Sequence, residues 1–158
     1  MASRGFEFAF DLNGNGTPVI RDLVCGETTA YVKGDLVCLQ ADGYVDKLTT
    51  SIGEITGVVE ESRAAGNTAG TTLIKVAIAT PSQVWKCSMD ASTATTAIVG
   101  YTKTLDTNDA NTIDAADITS GSLILLDKSE LDNDGNILAY VTFHNVTFVR
   151  GTVDTDTT

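Results

Sequence analysis

The chain has 158 residues, 42% of them hydrophobic, enough for one domain with a core of its own. Its formal net charge of −11, from 21 acidic against 10 basic residues, argues against a nucleic-acid partner held through phosphates and against an anionic membrane surface, and favours a partner with basic patches. No apolar run is long enough to span a membrane, and the three cysteines, Cys25, Cys38 and Cys87, have neither CxxC nor zinc spacing and read as reduced, buried small hydrophobes.

Taken in chain order, the first segment alternates. Phe6, Phe8 and Phe10 share one side and Glu7 and Ala9 the other, so residues 1–18 are expected to form an extended N-terminal arm. This alternation is unlike a signal-peptide block, and synthesis in the cytoplasm is expected. A loop over Asn13–Thr17 follows, then a strand over Pro18–Val24 and a break at Gly26–Thr29. The stretch YVKGDLVCLQADGYVDKL (31–48) predicts strand, Asp42-Gly43 turn, strand. Ile52–Val59 is apolar but interrupted by Gly53 and Gly57, which in a strand pattern signal a bulge or a close backbone approach.

Glu60–Thr71 is a polar loop. Leu73–Ala79 and Val84–Met89 are strands about a Thr80-Pro81-Ser82 turn. Asp90–Thr96 is small and polar, Ala97–Leu105 strand-like, and Asp106–Asp117 polar again with Ile113 as its apolar anchor. Ser122–Asp127, a turn at Asp132–Asn136 and Ile137–Val149 complete the strands. About ten short strands with no convincing helical period predict an all-β barrel or sandwich. The body is expected over 19–150, in two β-rich halves meeting near Met89, with a flexible acidic tail at 151–158.

The chemistry-bearing patterns are few. Asp11, Asn13 and Asn15 before Gly16 match the opening of a calcium loop, and Asp22 falls at its twelfth position. Against a metal there, the last ligand is Asp instead of a bidentate Glu, Pro18 takes the apolar position, and the flanks are strands instead of helices. An Asn/Gly turn explains the same residues. Asp132–Asn136 is a hairpin turn by its Asp-Gly pair. His144 is the single histidine, and no nucleophile elbow or phosphate-binding glycine loop accompanies it. Trp85 with Tyr31, Tyr44, Tyr101 and Tyr140 could line a sugar site, or fill the core. No enzyme activity and no cofactor are expected.

The segment VKGDLVCLQADGYVDKLTTSIGEITGVVEES shares its KGD strand opening with biotinyl and lipoyl carrier domains. Those need a modified lysine on an exposed hairpin, and no lysine here has that context. From Tyr31 to Glu61 the chain instead resembles the capsid decoration, or cement, proteins of tailed bacteriophages, and more loosely so through TTLIKVAIATPSQVWKC (71–87). The resemblance implies a small β-rich, non-enzymatic protein on the outer surface of the virion. It implies binding to the major capsid protein, bridging of its subunits, and assembly as a homotrimer. Arg4, Phe6, Phe8 and Phe10 of the arm are the expected capsid contacts, by strand addition or packing, and filling the domain's own core is the other role open to the phenylalanines. Rival readings are a tail-tube or head–tail β-barrel protein, and a calcium- or carbohydrate-binding β-sandwich.

Overall fold

The computed structural model describes residues 5–48, 54–93, 95, 97, 99–105, 112–116, 122–144 and 146. Ten strands follow in chain order: β1 (Glu7–Asp11), β2 (Ile20–Val24), β3 (Leu36–Leu39), β4 (Val45–Lys47), β5 (Gly57–Val59), β6 (Leu73–Ile78), β7 (Gln83–Ser88), β8 (Thr102–Lys103), β9 (Leu123–Leu131) and β10 (Ile137–Phe143). They form two five-stranded antiparallel sheets. Sheet A has the order β1-β7-β10-β9-β8, and sheet B the order β2-β6-β5-β3-β4. The expected all-β, sandwich-like architecture is what the chain adopts, with no helix among the described residues.

Sheet B curls without closing into a barrel. Cys25, just beyond β2 on one edge, makes a parallel bridge to Val45 in β4 on the opposite edge. Both faces of this sheet are therefore covered, and its strands show it. Successive side chains on a strand point to opposite faces. Leu36, Val58 and Ala77 enter a core shared with sheet A, while their neighbours Val37, Val59 and Val76 enter a second core inside the curl. That is why the sequence shows unbroken apolar runs at β3 and β5 instead of alternation.

The shared core holds Trp85, Cys87, Met89, Leu123, Leu125, Val141 and Phe143 from sheet A. Trp85 stacks on Phe143 at 5.5 Å between ring centroids. The inner core is smaller: Cys25, Tyr31, Val37, Val45, Val59, Ile74 and Val76.

The described part of the 1–18 arm is built into the body. Its strand, β1, pairs with β7, and the Phe6 N–H donates to the Gly34 carbonyl at 2.9 Å. Strands β2–β6 form sheet B, and β7–β10 form sheet A together with β1. The predicted hairpin turns at Asp42-Gly43 and Asp134-Gly135 are present, each with its glycine at positive φ. The strand expected over Ala97–Leu105 shortens to β8, and the one ending at Asp127 runs on to Leu131. Arg4 and the 151–158 tail lie outside the described residues.

Candidate functional site

The polar groups of the 25–48 segment converge on the β4 edge. In the β3–β4 ladder the Leu48 N–H donates to Leu36 and the Gln40 N–H to Tyr44, so Val45 and Lys47 turn their own backbone groups outward. Both are met from the chain just after β2. The Gly26 N–H donates to the Val45 carbonyl at 3.0 Å, and the Lys47 N–H donates to the Glu27 carboxylate. The Tyr31 hydroxyl adds a second donor to Val45 at 2.7 Å, and the Lys47 ammonium reaches the Ala30 carbonyl at 2.8 Å. Gly26 leaves room for the Asp46 side chain: a Cβ there would sit 2.0 Å from a carboxylate oxygen, which would have to shift.

The electrostatics follow from burial. Tyr31 is held protonated well above the usual phenol range by burial and by the Glu27 charge. Burial, with help from Glu54 and Asp46, pushes the Cys38 thiol up to about 11. Burial also raises Cys25 and Asp35, the latter against the opposing hydrogen bond from the Val32 N–H. These groups close a sheet edge. Glu27 carries no motif in the sequence, and its only signal is its place beside Gly26 after an apolar strand.

The expected contact residues separate. Phe6 is 3% exposed and packs edge-on against Phe143 at 5.7 Å. Phe8 packs edge-on against Trp85 at 5.5 Å. Phe10, beyond a bulge at Ala9, is 47% exposed. Of this set, Phe10 alone presents a large surface among the described residues, and Leu12, Val19 and Ile20 are exposed near it. Leu12 bonds Ser82 and Val19 bonds Ile78, so all four residues flank the β6–β7 corner.

The calcium-loop residues form a turn. One Asp11 carboxylate oxygen accepts from the Asn13 N–H at 2.7 Å and the other from the Ser82 hydroxyl at 3.2 Å. Gly14 and Gly16 take positive φ, and Asn13 and Asn15 are exposed. Asp22 lies on β2 and pairs with Lys75 at 3.2 Å. No group of three His, Cys, Asp or Glu gathers as a metal site among the described residues.

The aromatic residues do not assemble either. Trp85 is in the shared core, Tyr31 in the inner one, and Tyr101 on the surface. Tyr140 donates to Glu130 at 2.7 Å. His144 is exposed after β10, its N–H donating to the Ser122 carbonyl.

One open cleft of 280 Å³ lies beside β2, lined by Asp22, Glu61, Ser62, Arg63, Leu73 and Lys75. It borders the β2 edge, which pairs with β6 in unbroken register, and its polar lining mixes both signs of charge. No protein-family model matches this sequence, and no curated protein is significantly similar to it.

Proposed function

We propose that this chain is a non-enzymatic structural protein of a virion, binding the outer surface of the capsid as a homotrimer and bridging neighbouring major capsid protein subunits. The observation that carries the reading is the fate of the 31–61 segment, on which the resemblance to decoration proteins rests. Its strands line both cores, and Tyr31 and Lys47 join Gly26 and Glu27 in tying the sheet into a closed-up body. A stiff body of this kind transmits load between the subunits it touches. Capsids under internal DNA pressure fail where subunits part, and a modest interface repeated at high copy number opposes that. The net charge of −11 per chain keeps free trimers apart and favours basic ground on the lattice.

Imaging purified virions tests the reading directly. Density for this fold is expected on the outer lattice, across subunit seams. Virions stripped of it are expected to release DNA at lower temperature. A lattice without this chain, or a ring at the tail, overturns the proposal.

A further inference from the structure

The two sheets have four edges, and three of them are guarded. A long, flat, unpaired edge invites pairing with another chain, so folded proteins bulge, shorten, charge or cover their edges. β4 is three residues long, and its outward groups are bonded by Gly26 and Glu27. β1 carries a bulge at Ala9. On the last edge, β8 and the Gly100–Tyr101 segment before it cover Leu123, Ile124 and Leu125 of β9. The rest of β9 has two register shifts and places Asp127, Lys128 and Glu130 along the rim.

β2 has neither a bulge nor a covering segment among the described residues, and its two charges, Arg21 and Asp22, are of opposite sign. Five consecutive residues, Ile20 to Val24, pair with Ala77 to Leu73 in unbroken register. The ladder continues at both ends, with the Ile78 N–H donating to Val19 and the Cys25 N–H to Thr72. Bonded positions alternate along an antiparallel pair, so Val19, Arg21, Leu23 and Cys25 face β6. Ile20, Asp22 and Val24 then turn their N–H and C=O groups outward. The Arg21 guanidinium donates to the Ile20 carbonyl at 3.1 Å, a contact an incoming N–H would replace.

We infer that β2 is a docking edge that takes up an extended segment of another protein, apolar–x–Lys/Arg–x–apolar in pattern, as a sixth strand of sheet B. Backbone bonds to Ile20, Asp22 and Val24 supply the pairing, and side chains supply the choice. On the face that carries the cleft, Ile20 and Val24 flank Asp22, and Lys75 stands opposite Asp22 on β6. A cation opposite Asp22 on the added strand extends the alternation to Lys–Asp–Lys across three strands, whereas an acid there meets a like charge. A second copy of this chain is disfavoured for the same reason. Full antiparallel pairing of β2 with itself about a two-fold axis sets Asp22 against Asp22, between bodies each of charge −11. This edge is distinct from the capsid reading and does not depend on it.

Amide hydrogen exchange on the full chain tests the inference, with a short synthetic peptide of alternating valine and threonine carrying a central lysine as probe. Exchange at Ile20, Asp22 and Val24 should slow with peptide, while that of Arg21 and Leu23 stays as it was. The lysine peptide should bind about fivefold more tightly than its glutamate counterpart, the upper range for one cross-strand charge pair. Asp22→Pro removes an outward N–H and no ladder bond, so it should fold and lose the peptide. Asp22→Asn should keep the peptide and lose the preference for lysine. Unchanged exchange at the three outward amides under saturating peptide overturns the inference in the wild-type chain alone. Protection of those amides by raised protein concentration, without peptide, assigns the edge to a second copy and also overturns it.

Discussion

At the scale of single residues, the first and last of the alternating phenylalanines differ in what they contribute. Phe6 is enclosed by the shared core, and Phe6→Ala should cost about 3–5 kcal/mol, the range for removing a buried aromatic ring. Phe10→Ser should shift stability by no more than about 0.5 kcal/mol, as surface changes do. Thermal melts of the two variants decide it. Deleting residues 1–10 would remove all of β1 but Asp11, so loss of the proposed capsid binding in that deletion would not separate a lost contact from unfolding. Phe10→Ser is the informative variant for a surface role. Asp35 gives a pH signature. Burial raises its folded pKa above the unfolded value of 3.8, so the folded state holds this proton more tightly. Its contribution is therefore greatest below that value and falls as pH rises through the folded pKa. Asp35→Asn keeps an acceptor for the Val32 N–H and removes the titration. Relative to wild type, the variant should gain stability as pH is raised from 4 to 7, the acid range being set by the unfolded carboxyl. Parallel denaturation curves for the two proteins at all pH values would refute this.

At the scale of elements, Gly57 shows what the sequence can and cannot say. A glycine within GEITGVV signals a close backbone approach, and the approach is there: a Cβ would lie 2.2 Å from the Ala77 carbonyl oxygen and 2.6 Å from Val76. Gly57→Ala should therefore destabilise the β5–β6 pair, by about 1–3 kcal/mol as overpacking does, read as a lower denaturation midpoint at unchanged m-value. Which strand makes the approach was not legible, because periodicity assigns a face and leaves the partner open. For the same reason β1 was legible as a strand, but its seat beside β7 was not. β9 continues past Asp127 through a polar run that alternates nothing, because both its faces meet water there. The double apolar runs at β3 and β5 were legible as strands. Their division between two cores needed the curl of sheet B, fixed by the long-range contact of Cys25 with Val45. Of the candidate site residues, Asp11, Asn13 and Asn15 were legible as a turn. The β2 edge was not, since an unguarded edge is known only once the other edges are seen to be guarded.

At the scale of the whole molecule, the two cores are stitched together. β1 opens the chain but belongs to the sheet made by its second half, and sheet B contributes Leu36, Val58 and Ala77, with Ile55 and Ala79 from the chain beside its strands, to the core under sheet A. Neither sheet can be withdrawn without uncovering apolar surface of the other, so the body should unfold in one step in spite of having two cores. The cysteines report on each. Cys25 is in the inner core and Cys87 in the shared one, and both are fully enclosed. Thiol labelling across a denaturant series, read by peptide mass, should give one midpoint for both residues, coincident with the fluorescence change of Trp85, the only tryptophan. In the absence of denaturant neither thiol should label at pH 8, since both are buried and burial holds the Cys25 thiol above its ordinary range. Early labelling of Cys25 alone would mean that the curl of sheet B opens as a separate unit. The tie from Gly26 and Glu27 to β4 would then be the weak seam, and Glu27→Gln, which retains an acceptor for the Lys47 N–H, would open less than Glu27→Ala.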